Sequence, residues 1–434
     1  MIEPGARLIL DIEKPAAGGR MLARHSGRVV LVAGAIPGER VSARVDRLAK
    51  GVVYADTISV LSPSPDRRDA PSDWRCGGNV FAHVNYPRQL VLKADIVRDA
   101  FTRIGHLPLS GPPAMIGSPE VGYRMRARLH AQGGKLGFFR EGTHQLCDVS
   151  PTRQLLPQTL EWIARAEETI ARERLTGLAG LDIAENIAGD VRACHLELHG
   201  GTDTAPFAAL ATGLSGLSAE RTDRAGVIQL SGTSTIADTV RLADGEGCAA
   251  VVFERDVRAF FQGNRFLLET LARHVVSLLA PGPVVDLYAG VGLFGISAVA
   301  AGFDDVTLVE GDSISGADLQ RNAVAVGAAA KVERRSVEAF LRSGTPQRGR
   351  RGTMPAQGDA TFIVDPPRTG LSRDALIGIL DKRPARIVYV SCDVATMARD
   401  ARTLVDAGYS MGEVTAMDLF PNTAHVETVT TFIR

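Results

Sequence analysis

Apolar and polar positions alternate with a period of two through residues 6–61. The runs Arg28-Val-Val-Leu-Val, Arg40-Val-Ser-Ala-Arg-Val and Val53-Tyr-Ala-Asp-Thr-Ile-Ser-Val-Leu are separated by turn residues such as Ala35-Ile-Pro-Gly-Glu. Such alternation marks half-buried strands, and the short spacing predicts a small all-β barrel. Ser62-Pro-Ser-Pro-Asp66 then reads as a linker. Leu90, Leu92, Ile96, Val97, Ala100, Phe101 and Ile104 recur at helical spacing, which predicts a helix over 88–104 that stops at Gly105. From about 119 to 255 the pattern is strand-like around a helix near 157–175, as in a mixed, mostly antiparallel middle domain.

Beyond residue 256 the period changes. Apolar runs at 283–288, 305–310, 360–364 and 386–391 alternate with helical stretches at 290–302, 313–328, 372–381 and 394–407. That order predicts an α/β doubly wound parallel sheet. Runs near 411–418 and 426–433 would close it as an antiparallel hairpin at its edge. Residues 343–359, rich in Gly and Arg, have no period and are expected to be a mobile basic insertion. The expected division is therefore a barrel over 1–62, a linker, helix and middle domain over 63–255, and a Rossmann-like domain over 256–434.

Composition is that of a soluble globular chain, 45% hydrophobic and 23% charged over 434 residues. The formal net charge is zero, so a nucleic-acid role must come from local clusters. Arg20, Arg24, Arg28, Arg40, Arg44, Arg47 and Lys50 form one; Arg124, Arg126, Arg128, Lys135 and Arg140 form another. Solvated strand faces would look the same. The five cysteines are scattered and contain no Cys-x-x-Cys pair, so neither a disulfide framework nor a zinc site is expected, as in a reducing cytoplasm. The most apolar stretch, 283–300, is broken by Asp286 and glycines, which argues against a membrane span.

Gly290-Val-Gly-Leu-Phe-Gly295 follows the first parallel strand and opens a helix, so Gly290 and Gly292 have the setting of a nucleotide-binding turn. Glu310 ends the next strand, where a carboxylate accepts hydrogen bonds from ribose hydroxyls. This much fits a nicotinamide oxidoreductase as well as a methyltransferase. Asp286, before the turn, suits the cationic ammonium and sulfonium of S-adenosylmethionine and opposes a pyrophosphate. Asp365-Pro-Pro follows the strand run at 360–364 in a stiff loop able to fix a planar base. Cys392 lies just past the last parallel strand, where open α/β sheets keep their ligand crevice, and so reads as a nucleophile.

The runs Asp286-Leu-Tyr-Ala-Gly-Val-Gly, Asp365-Pro-Pro-Arg-Thr-Gly, Val390-Ser-Cys-Asp and Asp418-Leu-Phe-Pro-Asn-Thr-Ala-His-Val-Glu427 resemble, in that order, the hallmarks of the RNA uracil-5 methyltransferases. Gly137-Phe-Phe-Arg-Glu-Gly and Phe260-Phe-Gln-Gly-Asn are similar to further family runs, and residues 7–66 look like the family's TRAM domain, an oligonucleotide-binding-type barrel. The resemblance implies a class I methyltransferase that uses S-adenosyl-L-methionine, with Cys392 as nucleophile and Glu427 as general base. Gln262, Tyr288, Glu310 and Asp365 would contact the cosubstrate. The TRAM-like barrel points to ribosomal RNA, 23S rRNA first, with tRNA second. Neither a membrane nor an obligate protein partner is implied.

Three departures matter. Many relatives hold an iron–sulfur cluster on a Cys-x5-Cys-Gly-Gly-Cys run and one distant cysteine; here only Cys76 remains, with Ala70, Asn79 and Thr152 at the other places. No cluster is expected, and Cys147, five positions from the last of these, is no evident substitute. Asp393-Val394 also replaces the usual Asn-Pro, and Leu293 stands where Asn is frequent. A non-catalytic RNA-binding relative and a cytosine methyltransferase remain as alternatives. The retained Cys392 and Glu427 weigh against the first, and the lack of a cysteine in the Asp365 loop weighs against the second.

Overall fold

The structure, a computed structural model, describes residues 2–16, 18–71, 73–243, 249–343 and 359–434. Strands β1 (Arg7–Pro15), β2 (Met21–His25), β3 (Arg28–Ala33), β4 (Arg40–Ala49) and β5 (Val52–Ser62) form a closed barrel in the order β1-β2-β3-β5-β4. β4 pairs back onto β1, so the barrel leaves no open edge. The alternation seen in the sequence is the inside–outside alternation of the strands: Leu8, Leu10 and Ile12, or Val41, Ala43 and Val45, point inward. Buried Glu39 holds the start of the linker by accepting hydrogen bonds from Ser64 N and from the Arg67 guanidinium.

Helix α1 (Tyr86–Arg103) begins with Pro87 in its first turn and packs its Leu92, Ile96, Val97 and Phe101 face into the core shared with the C-terminal sheet. That face also carries Lys93, which is fully buried and paired with the equally buried Asp418 at 2.5 Å. Removing one member of a buried ion pair strands the other charge, at a cost of about 3–5 kcal/mol. Lys93→Ala should therefore lower the unfolding free energy by about that much. Denaturant titration checks this, and a loss of less than about 1 kcal/mol would show the pair to be incidental.

Strand β6 (Ala114–Ile116) precedes a seven-stranded sheet made of β7 (Arg126–Gln132), β8 (Lys135–Phe139), β9 (Leu146–Cys147), β10 (Leu178–Glu185), β11 (Arg192–Leu198), β12 (Gly216–Arg221) and β13 (Arg224–Gly232). Its order is β13-β12-β11-β10-β7-β8-β9, antiparallel except between β11 and β12. Helix α2 (Pro157–Arg172) covers one face, with Trp162, Ile163, Ala166 and Ile170 against Leu129, Leu181 and Leu196. The ladder β14 (Thr235–Arg241) with β15 (Ala250–Asp256) leads onward to α3 (Leu268–Ser277). Arg192 and Arg265 both donate to the buried carboxylate of Glu185, which ties the middle sheet to the chain entering the last domain.

The last part contains β16 (Val284–Leu287), α4 (Leu293–Ala300), β17 (Val306–Glu310), α5 (Ser313–Val326), β18 (Ala330–Arg334), α6 (Val337–Ser343), β19 (Thr361–Val364), α7 (Arg373–Lys382), β20 (Arg386–Ser391), α8 (Val394–Asp406), β21 (Ser410–Met411), β22 (Thr415–Met417) and β23 (Glu427–Ile433). The sheet runs β18-β17-β16-β19-β20-β23-β22-β6, with β21 beside β23. β18 through β20 are parallel, and β23 joins antiparallel to β20. Two expectations change here. The β22–β23 hairpin is not the edge, because β6 pairs parallel to β22 outside it. The polar β18, with its helix α6, extends the other end of the sheet. The basic insertion expected at 343–359 lies almost wholly outside the described residues. No described helix is long and apolar enough to cross a membrane.

Candidate active site

Most candidate side chains lie at or next to strand ends of the last sheet, with Asp286 inside β16 and Gln262 in the segment before α3. The tight turn after β16 takes Tyr288, Gly290 and Gly292 into left-handed backbone, with φ of 63°, 57° and 103°. Only glycine adopts this readily, and at Gly292 a Cβ would also come within 2.4 Å of Ile296. Glu310, at the end of β17, holds this turn: Gly290 N donates to its Oε2 at 2.8 Å and Asp312 N to its Oε1 at 2.6 Å. Burial raises its pKa. Half-buried Tyr288 packs beside the core.

Asp286 is corrected in one respect. Instead of presenting a charge at the strand end, it lies within β16, fully buried beneath α4, where its Oδ2 accepts a hydrogen bond from Gly295 N at 2.8 Å. Its Oδ1 has no partner. Burial lifts its pKa to about 8, so the neutral acid prevails at neutral pH.

Asp365 follows β19 and accepts a long, 3.4 Å hydrogen bond from Gln262 Nε2. Gln262 is placed by its neighbours: Met125 N donates to Gly263 O, Asn264 Nδ2 donates to Leu419 O, and Arg265 reaches Glu185. Burial lifts Asp365 to about 7, with the Gln262 bond opposing it. Glu427 opens β23 and is buried, and neither carboxyl oxygen has a hydrogen-bond partner. Burial first, then the nearby Asp365, raises it well above the ordinary carboxylate range, against the pull of Arg368.

Cys392 sits between β20 and α8, partly exposed and lining a cavity of about 300 Å³. Burial first, then Glu427 and Asp365, push its thiol up to about 12. Arg368 opposes that rise by charge and by a hydrogen bond to the sulfur. The Asp393 side chain caps α8 by accepting from Thr396 N, the role an Asn at that position would also fill. Cys392, Glu427 and Asp365 therefore meet at one place, within electrostatic reach of each other. Arg368 is a fourth member to which the sequence assigned no role. His425 is a fifth: it lines the same cavity as Cys392 and is held neutral, at about 4, by burial and by Arg368. Both residues stand inside runs already singled out, and only the fold shows that they face the thiol.

These carboxyls make stability depend on pH. A carboxyl whose pKa is higher folded than unfolded stabilises the fold below its unfolded value and loses that contribution as pH rises through its folded value. From Asp365 at about 7 and Asp286 at about 8, the melting temperature of the ligand-free protein should fall between about pH 4 and pH 8. Asp365→Asn cannot ionise and should flatten part of that fall. Melting curves of variant and wild type that stay parallel across this range would contradict the assignment.

One expectation about the cysteines is overturned. Cys76 is disulfide-bonded to Cys147, across 71 residues of sequence. Spacing alone cannot reveal such a pair, because connectivity is set by the fold. At the positions where relatives would place a cluster, Cys76 is thus already bonded, while Ala70, Asn79 and Thr152 supply no thiolate. The residues present do not fit an iron–sulfur cluster. The Arg124–Arg140 cluster also looks different in three dimensions: Arg124 donates to Gln154 Oε1 and the Arg126 carbonyl, while Arg128 pairs with Glu197.

A parallel sheet with a glycine turn after its first strand, an acid ending the second and an Asp-Pro-Pro loop after the fourth defines a class I S-adenosylmethionine-dependent methyltransferase domain. Its backbone matches that of the Pyrococcus abyssi tRNA (uracil-54, C5)-methyltransferase, solved with S-adenosyl-L-homocysteine, at a TM-score of 0.74 and 24% identity over 99% of this chain and all of that one. The family described as tRNA (Uracil-5-)-methyltransferase matches residues 236–434. The chain is 30% identical to the 23S rRNA (uracil(1939)-C(5))-methyltransferase RlmD of Stenotrophomonas maltophilia, over 98% of this chain and 96% of the relative. It is also 30% identical to the RlmD of Pseudomonas putida, over 99% and 94%. The chain belongs to the S-adenosylmethionine-dependent RNA uracil-5 methyltransferase family.

Proposed function

We propose that this protein methylates carbon 5 of a specific uridine in structured RNA, with 23S rRNA as the first substrate and tRNA as the nearest alternative. It would act in the cytoplasm, without an obligate protein partner. The observation that carries the reading is the meeting of Cys392, Glu427, Asp365 and Arg368 at the carboxyl ends of β19 and β20 and the start of β23. The near-complete coverage of relatives named for 23S rRNA favours that RNA.

Carbon 5 of uracil is a weak nucleophile. Adding the Cys392 thiolate to carbon 6 turns the ring into an enolate whose carbon 5 can accept a methyl group. S-adenosylmethionine supplies that group from its sulfonium. Gln262, Asp365, Tyr288, Glu310 and the Gly290–Gly292 turn would hold it. Glu427 then takes the proton from carbon 5, the ring double bond re-forms, and the Cys392–carbon 6 bond breaks. The target base must leave its stack to reach this depth.

In the free protein burial keeps both the Cys392 thiol and the Glu427 carboxyl protonated. A cation bound beside Asp365, added to the Arg368 guanidinium, lowers both pKa values and readies the pair only when the cosubstrate is in place. Assaying unmodified 23S rRNA and tRNA side by side with labelled methyl donor tests the assignment. Label in 5-methyluridine of rRNA is expected, label in tRNA alone would shift the assignment, and label in neither would refute it.

A further inference from the structure

We infer that the Cys76–Cys147 disulfide is a redox-labile clasp on the RNA-facing wall of the catalytic cavity, whose reduction weakens RNA binding while sparing S-adenosylmethionine. The inference rests on the proposed RNA substrate. Two separate observations carry it. The first is covalent: the bond joins the irregular segment around Cys76 to the end of β9, elements 71 residues apart. The second is positional: Cys76, Gly77, Gly78 and Glu141 line the same cavity as Cys392 and His425, which come from the far end of the chain.

Noncovalent ties also cross this wall. Gly77 N donates to Phe139 O, Glu141 N to Arg75 O and Gln154 Nε2 to Gly77 O, and a single bridge links Cys76 to Arg140. With Arg140 also paired to Asp73 and Arg75 to Asp56, the segment keeps noncovalent ties once the disulfide is gone, and these open locally more readily than a covalent bond. Gln262, Asp365, Glu310 and the glycine turn are absent from the lining of this cavity. Loosening the wall should therefore reach the RNA and not the cosubstrate. Cys76 is 1% exposed, whereas Cys147 is only partly buried.

A thiolate therefore reaches the Cys147 sulfur first and expels Cys76 as the leaving thiolate. With a dithiol protein of the thioredoxin class, its second thiol then attacks the mixed disulfide. Two electrons and two protons pass to Cys76 and Cys147, and the dithiol becomes a disulfide. A low-molecular-weight disulfide reverses the exchange.

The test compares the full-length protein purified without reductant, the same protein after dithiothreitol, and Cys147→Ser. Alkylation and peptide mapping give the state of Cys76 and Cys147. Filter binding to a 23S rRNA transcript gives the RNA Kd, and calorimetry gives the S-adenosylhomocysteine Kd. The expected result is RNA binding about tenfold weaker in the reduced protein, with cosubstrate affinity unchanged. Cys147→Ser should match the reduced wild type and ignore dithiothreitol. Should the variant fail to fold, the wild-type comparison decides, with a melting curve showing that the reduced protein remains folded. Equal RNA affinity in both wild-type states, or free thiols at Cys76 and Cys147 before reduction, would overturn the clasp alone. Failure of both states to bind RNA would overturn the RNA reading and the clasp with it.

Discussion

Cys392→Ala should reduce methyl transfer to RNA by roughly 10⁴-fold or more, because without a carbon 6 adduct carbon 5 never becomes nucleophilic enough to react. The loss should fall on turnover. S-adenosylmethionine should still bind, since Gln262, Asp365, Glu310 and the glycine turn belong to other segments of the chain, and the fold should stay intact, since the thiol is only partly buried. Single-turnover assays with labelled donor and a binding isotherm separate the two quantities. A variant that keeps even a hundredth of wild-type turnover would remove Cys392 from the chemistry.

Glu427→Gln should fail at a different step. The amide can neither take the carbon 5 proton nor repel the neighbouring Asp365, so addition and methyl transfer proceed once and elimination stalls. Turnover should fall by roughly 10²–10⁴-fold. Unlike Cys392→Ala, the variant should accumulate an RNA–protein adduct that survives denaturing electrophoresis. Because the native carboxyl is already held protonated by burial, the substitution should cost little stability. An equal loss of turnover with no adduct would place Glu427 before, rather than after, methyl transfer.

The contrast between these variants depends on features that differ in how far the chain discloses them. The barrel is legible because half-buried strands carry a two-residue period, and the alternation of Leu8, Leu10 and Ile12 survives directly as inside and outside. The parallel sheet is legible because its strands are buried on both faces and read as unbroken apolar runs. β6 is not, since three residues after a pair of prolines are too few to carry a period. β18 is polar, as an edge strand can be, and escapes for the opposite reason.

The same division holds in the site. Cys392, Asp365 and Glu427 could be named from ordered motifs, but their mutual reach depends on β23 inserting antiparallel beside β20, a pairing that local pattern does not specify. Asp286 stood in the expected motif yet turned under α4, because Gly295 offers a backbone N–H within the core and no solvent reaches the carboxyl. The Cys76–Cys147 bond depended on the segment around Cys76 packing at the β8–β9 edge of the middle sheet, 71 residues along the chain.

The most direct test of the central claim uses RNA carrying 5-fluorouridine at the target, incubated with the protein and S-adenosylmethionine. Fluorine cannot leave carbon 5 as a proton, so the reaction should halt after methyl transfer. A one-to-one RNA–protein adduct should appear only with the methyl donor, and digestion should place one methylated fluorouridine on the Cys392 sulfur. An RNA methylated at the natural site while its fluorinated form yields no adduct, or an adduct mapped to any residue other than Cys392, would contradict the account.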